Sequence, residues 1–120
     1  MGKKILIIDD EPDLLKALTV RLESAGYEVD TAQDGFEGLN RARTTGPDLI
    51  ILDLMLPKMN GFKVARLLKF DEKYKKIPII MLSARTEEDD KELGKETGGD
   101  IYIEKPYNEK ELLEAVSKLA

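Results

Sequence analysis

The 120-residue chain contains neither cysteine nor histidine. Without cysteine there is no disulfide framework, no thiolate nucleophile and no thiolate metal site. Without histidine, any phosphohistidine, imidazole-metal or Ser-His chemistry has to come from a partner or be absent. A basic excess is missing too: 19 Lys and Arg stand against 24 Asp and Glu, for a net charge of −5. Non-specific nucleic-acid binding needs cationic surface to displace counterions, so no direct nucleic-acid contact is expected. No apolar run approaches the roughly 20 residues of a membrane helix. The Met-Gly-Lys-Lys start followed by Ile5 to Ile8 is too short for a signal-peptide core. A cytoplasmic protein with no membrane partner is the expectation.

What is present is a set of short apolar runs. Hydrophobic residues make up 42% of the chain and charged residues 36%. That charged share exceeds the usual quarter or so, yet the apolar runs are frequent enough to build one core. Leu49-Ile50-Ile51-Leu52 runs unbroken into Asp53, and a Pro-Lys-Met-Asn-Gly turn follows at 57–61. An unbroken run of this kind predicts a strand buried on both faces, as in a parallel sheet. Ile5-Leu6-Ile7-Ile8 is a second such run and ends on Asp9-Asp10; Ile77 to Leu82 is another and ends on Ser83. Pro78 is tolerable there only near the strand start. Tyr27 to Ala32 and Ile101 to Ile103 predict weaker strands.

Helical spacing fills the gaps. Pro12 opens a helix with Leu14, Leu18, Leu22 and Ala25 along one face, closed by Gly26. Asp34-Gly35 opens a second with Phe36, Leu39 and Ala42. A third follows Gly61 with Phe62, Ala65 and Leu68, and a polar fourth covers 86–97. The last carries Leu112, Val116 and Leu119. Strands alternating with helices predict a parallel sheet covered on both faces through right-handed crossovers.

On such a sheet, ligands collect beyond the carboxyl ends of the strands. Asp9-Asp10, Asp53, Ser83 and Lys105 all fall at or just after strand ends. Three carboxylates at one edge repel one another, and a hard divalent cation such as Mg²⁺, which accepts carboxylate and phosphate oxygens, relieves this. A lysine and a serine hydroxyl can hold further phosphoryl oxygens, which assembles the parts for phosphoryl transfer to a carboxylate. Each residue alone has a plainer role. Asp53 could cap the turn below it, Asp10 could cap the first helix, and Ser83 could be a loop hydroxyl. Lys105 could be a solvated charge and Tyr102 plain core.

Together the motifs Ile7-Ile8-Asp9-Asp10-Glu11, Leu52-Asp53-Leu54-Met55-Leu56-Pro57, Met59-Asn60-Gly61, Ser83-Ala84 and Tyr102-Ile103-Glu104-Lys105-Pro106-Tyr107 resemble the response-regulator receiver domains of two-component signalling, in particular the single-domain chemotaxis regulators. The resemblance covers essentially residues 1–120 and implies a flavodoxin-like (βα)5 three-layer sandwich with sheet order 2-1-3-4-5. It implies Asp53 as phospho-acceptor, Mg²⁺ bound by Asp10 directly, by Asp9 largely through water, and by the Met55 main-chain carbonyl. It implies Lys105 on the phosphoryl group, Ser83 and Tyr102 as a switch pair, and a cis Lys105-Pro106 bond. The implied partners are a sensor histidine kinase or histidine phosphotransfer protein, and a downstream effector that reads the surface of helix 86–97, the fifth strand and the last helix.

Two departures bear on assembly. Ile101 stands where many receivers carry a second Asp, and the last helix has no Arg, so the winged-helix branch's dimer pairing is not expected. Asn60 replaces a frequent Asp and should be tolerated. The chain reads either as a single-domain regulator or as the receiver of a longer one. Two other classes compete. A small Mg²⁺-dependent phosphohydrolase with an aspartyl intermediate would want a general acid where Met55 stands. A nucleotide- or flavin-binding module would want a phosphate loop where Asp9-Asp10-Glu11-Pro12 stands.

Overall fold

The computed structural model describes residues 3–56, 58–83, 100–104 and 107–120. Five strands, β1 (Lys4–Ile8), β2 (Glu28–Ala32), β3 (Leu49–Asp53), β4 (Ile79–Ser83) and β5 (Ile101–Glu104), form one parallel sheet in the order β2-β1-β3-β4-β5. Among the described residues the helices are α1 (Pro12–Ser24), α2 (Gly35–Thr45), α3 (Gly61–Lys69) and α4 (Glu109–Leu119). The helix expected over 86–97 lies outside the described residues.

The apolar runs are continuous because both sides of each central strand are covered. Ile5, Ile7, Leu49, Ile51, Ile80 and Leu82 pack under α1 and α4 with Leu15, Leu18, Leu22, Leu112 and Val116. Their alternates Leu6, Ile8, Ile50, Leu52, Ile79 and Met81 pack under α2 and α3 with Leu39, Ala42, Val64 and Leu68. The two clusters are the two interfaces of a three-layer, flavodoxin-like sandwich. Each Ile or Leu so buried stabilises the fold by about 1.5–3 kcal/mol relative to exposure.

Three helix faces differ from the expectation. In α1 the buried stripe is Leu15, Leu18 and Leu22, with Leu14 half-buried and Ala25 exposed as the C-cap. In α2 the buried residues are Gly35, Gly38, Leu39 and Ala42, while Phe36 is 58% exposed. The reason is the glycine pair: a Cβ on Gly38 would lie 2.6 Å from Ile8 Cδ1, so the helix seats its glycine side against β1 and turns Phe36 outward. In α4, Leu112, Ala115 and Val116 are buried and Leu119 is only partly so.

The fourth strand begins at Ile79 rather than Ile77. Pro78 has no N–H to give a ladder, and the Ile77 carbonyl accepts from Lys69 Nζ at 2.7 Å. Asp100 Oδ2 accepts from the Ile79 N–H at 2.8 Å and from Lys69 Nζ at 2.9 Å. These bonds tie the end of α3 to the starts of β4 and β5, at the edge of the sheet away from Asp53. On the other face, the Arg21 guanidinium of α1 grips both oxygens of Glu109 at the start of α4, which raises the Arg21 pKa.

Candidate functional site

β1 ends at Ile8, and Asp9 carries the ladder one step further by donating its N–H to the Ala32 carbonyl at 3.0 Å. Its side chain is fully buried, and Oδ1 accepts the Glu11 N–H at 2.9 Å. Asp10 is exposed. It does not cap α1, whose N-cap is Glu11 without a side-chain capping bond. Asp53 is the last residue of β3 and only 3% exposed; its Oδ1 accepts the Met55 N–H at 3.0 Å. Asp9 and Asp53 therefore share one local device: a strand-terminal carboxylate that bonds the N–H two residues on and so turns the chain away from the sheet.

Turn-making is not all these groups can do. One oxygen from each of Asp9, Asp10 and Asp53 lies within 4.8 Å of the other two. Three carboxylates at that spacing, two of them buried, repel one another, by about 1 kcal/mol per pair even where water screens them. The donor set, all hard oxygen at one mouth, fits Mg²⁺ or a similar hard divalent cation and does not suit a soft metal.

The loop that carries Met55 is built to hold its shape. Leu54 and Leu56 point into the core, whereas Met55 is 49% exposed at the rim. Gly61 donates its N–H to the Leu54 carbonyl at 3.1 Å. A Cβ on Gly61 would fall 2.6 Å from Leu54 Cα and 3.0 Å from Asp53 C, and closer still to the Asp53 carbonyl oxygen. Asn60 caps α3 by accepting the Lys63 N–H at 3.0 Å, so the amide serves here as well as a carboxylate would. Lys58 adopts φ 66°, a left-handed conformation unusual outside glycine, and its ammonium lies 3.6 Å from Asp34. Asp34 caps α2 through the Glu37 N–H; that bond chiefly, with Lys58 assisting, holds its carboxyl below the usual carboxylate range.

Ser83 closes β4 and is 2% exposed. Asp53 pairs with Leu82 across the β3–β4 ladder, so Ser83 lies one step beyond the acidic cluster on the neighbouring strand. Tyr102 pairs with Met81 in the β4–β5 ladder and packs against the cluster under α2 and α3. Strand alternation puts Met81, Ser83 and Tyr102 on one face of the sheet. The Tyr102 hydroxyl is buried with no hydrogen-bond partner among the described residues. A stranded hydroxyl costs about 1–3 kcal/mol. Tyr102→Phe is therefore expected to raise the stability of the unliganded protein by about 1 kcal/mol in urea unfolding; a loss of stability would show that the hydroxyl is bonded.

The structure thus brings together Asp9, Asp10, Asp53, Met55 and Ser83 at the carboxyl edge of the sheet, with Tyr102 on the same face as Ser83. Lys105 lies outside the described residues, as do Pro106 and the bond between them. The contribution missed at the sequence level is that of Gly61. It reads there only as a helix start, because its pressure on the Asp53 backbone depends on where the loop returns.

Comparison with known proteins is consistent along the chain. The family model described as "Response regulator receiver domain" matches residues 5–117. The alkaline phosphatase synthesis transcriptional regulatory protein PhoP of Bacillus subtilis is 47% identical over 112 residues, which are 93% of this chain and 46% of that protein. The DNA-binding dual master transcriptional regulator RpaA of Synechocystis is 45% identical over 97% of this chain and 48% of its own length. The chain spans about half the length of the curated relatives it matches. Among solved structures, the Vibrio cholerae chemotaxis protein CheY4 superposes with a TM-score of 0.92 at 34% identity, covering 100% of both chains. A putative response regulator from Chloroflexus aurantiacus gives 0.93 at 32% identity, covering 99% of this chain and 98% of the other.

Proposed function

The chain belongs to the response-regulator receiver family of two-component systems, and from that premise we propose that it is a phospho-acceptor switch whose acceptor is Asp53. The observation that carries the proposal is the cluster itself: a strand-terminal carboxylate, 3% exposed, with oxygens of Asp9 and Asp10 within 4.8 Å. An Asp53 carboxylate oxygen attacks the phosphorus of a partner's phosphohistidine, the N–P bond breaks, and the histidine leaves with its electron pair as an acyl phosphate forms. These 120 residues contain no histidine, so the donor histidine lies outside them, in a sensor histidine kinase or a histidine phosphotransfer protein.

Mg²⁺, when bound, would neutralise the clustered carboxylates and the incoming phosphoryl oxygens. Asp10, exposed at the mouth, would ligate it directly; Asp9, buried and engaged by the Glu11 N–H, largely through water; the Met55 carbonyl would complete the protein ligands. Lys105 would hold a phosphoryl oxygen, the role that the family resemblance implies for it. Ser83 would bond another, and Tyr102 would follow it inward, altering the surface of β5 and α4 for a downstream effector, as the family resemblance implies. The whole 1–120 chain is read as one receiver, cytoplasmic, without direct contact to nucleic acid or membrane. The relatives named as DNA-binding are about twice as long, and these 120 residues are acidic.

The chain is not expected to be a turnover enzyme. A phosphohydrolase would need a proton donor two residues past Asp53, and Met55 has none to give. Acetyl phosphate with Mg²⁺ should add a single phosphoryl group by intact mass, whereas a generic phosphate ester should not be turned over. No adduct, or steady ester hydrolysis, would overturn the reading. In metal titration by calorimetry, Asp10→Ala should weaken Mg²⁺ binding about 10–100-fold and Asp9→Ala less, as direct ligands outweigh water-mediated ones. Equal losses would contradict those roles.

Met55 also bears on how long the phosphorylated state lasts. Hydrolysis needs a water held in line with the Asp53 bond, and a thioether is a weak acceptor at best. Met55→Asn should speed phosphate release after the donor is removed; an unchanged rate would mean that the water is oriented by another group. Arg85, the second residue that the resemblance puts beside this approach, lies outside the described residues.

A further inference from the structure

A second site lies away from the acidic mouth, along the outer side of α3. There the end of α2 and the length of α3 border a cleft of about 700 Å³. Its apolar lining is Phe62, Leu67 and Phe70, and its cations are Arg43, Lys63 and Arg66. Phe70 is 72% exposed, more than any other large hydrophobic residue described, and Leu67 is 38% exposed. None of the three cations makes an ion pair among the described residues, whereas Arg21, Arg41, Lys58, Lys69 and Lys75 all do. The one carboxylate on the rim among the described residues, Asp71, turns back to accept the Lys73 N–H at 2.9 Å. An acidic chain therefore keeps a local surplus of unpaired positive charge around an exposed aromatic.

We propose that this cleft docks an acidic segment of a partner protein, one bulky apolar side chain entering over Leu67 and Phe70 while flanking carboxylates meet Arg43, Lys63 and Arg66. Arginine beside an exposed aromatic is the composition of an interface centre rather than of a solvated helix face. Charge complementarity selects an anionic occupant. The short reach of the cationic patch and the net charge of −5 disfavour a nucleic-acid backbone, which needs a longer basic stripe. The site shares no residue with the acidic cluster, and the proposal does not depend on phosphorylation of Asp53.

The test is selection from a display library of short linear peptides, each with Asp or Glu on both sides of one Phe, Leu or Trp, against the full chain. Selected peptides should shift the amide resonances of Lys63, Arg66, Leu67 and Phe70, and should bind more weakly as salt rises. Phe70→Ser and Arg66→Glu, both on the exposed side of α3 and checked for an unchanged melting curve, should each weaken binding by about tenfold or more. Peptides that bind both variants as well as wild type, that map elsewhere, or that fail to enrich would overturn the proposal. A single-stranded oligonucleotide that shifts the same resonances at lower concentration than any peptide would overturn it equally.

Discussion

Replacing Asp53 with Asn should abolish phosphoryl uptake from acetyl phosphate while leaving the fold intact. The two side chains have nearly the same volume, and an Asn oxygen can still accept the Met55 N–H that Asp53 Oδ1 holds at 3.0 Å. What is lost is the anionic oxygen that attacks phosphorus. Removing one of three carboxylates within 4.8 Å of each other also removes two of the three mutual repulsions. The variant should therefore be more stable than wild type in metal-free buffer, by on the order of 1 kcal/mol. Added Mg²⁺ should narrow that difference, because it binds and stabilises the wild-type fold more strongly. Intact mass after acetyl phosphate treatment reads the first effect, and urea unfolding with and without Mg²⁺ reads the second. An adduct persisting on the variant would remove Asp53 as the acceptor. A variant less stable than wild type without metal would mean that the cluster is already compensated by other groups.

The second large effect is expected at Gly61. A methyl group there would meet backbone, Leu54 Cα at 2.6 Å and Asp53 C at 3.0 Å, and backbone cannot swing aside as a side-chain tip can. Relief requires moving the Asp53–Leu54 peptide, which is paired to β4 through the Leu54 N–H and the Leu82 carbonyl at 2.9 Å. Gly61→Ala should cost about 3 kcal/mol or more, at the upper end of overpacking changes. It should also impair phosphoryl uptake in whatever fraction stays folded, since Asp53 itself is displaced. Gly26→Ala is the control. Gly26 has φ 98° but nothing within 4 Å of an added Cβ, so only backbone strain of about 1–2 kcal/mol applies. Equal urea midpoints for the two variants would show that the β3–α3 loop yields freely.

Much of this architecture is legible in the residue order. The runs 5–8 and 49–52 are apolar at every position because both sheet faces are covered, and each ends in Asp because the chain leaves the core there. That pattern, with helical spacing between, specifies a parallel sheet whose acidic residues gather at one edge. The absence of histidine specifies that any phosphohistidine donor lies outside these 120 residues. Other features are decided only in three dimensions. Whether Leu14 or Leu15 faces the sheet depends on the roll of α1, and the spacing tolerates either. Phe36 matches the helical period but is exposed, because Gly38 presses α2 onto Ile8. The burial of the Tyr102 hydroxyl, the contact of Gly61 with the Asp53 backbone, and the gathering of Arg43, Lys63 and Arg66 around Phe70 all depend on segments distant in sequence coming together. A residue's own neighbours record which strand or helix it belongs to and how the chain turns. Which distant atom it meets is set by strand register and helix roll, which no local pattern encodes.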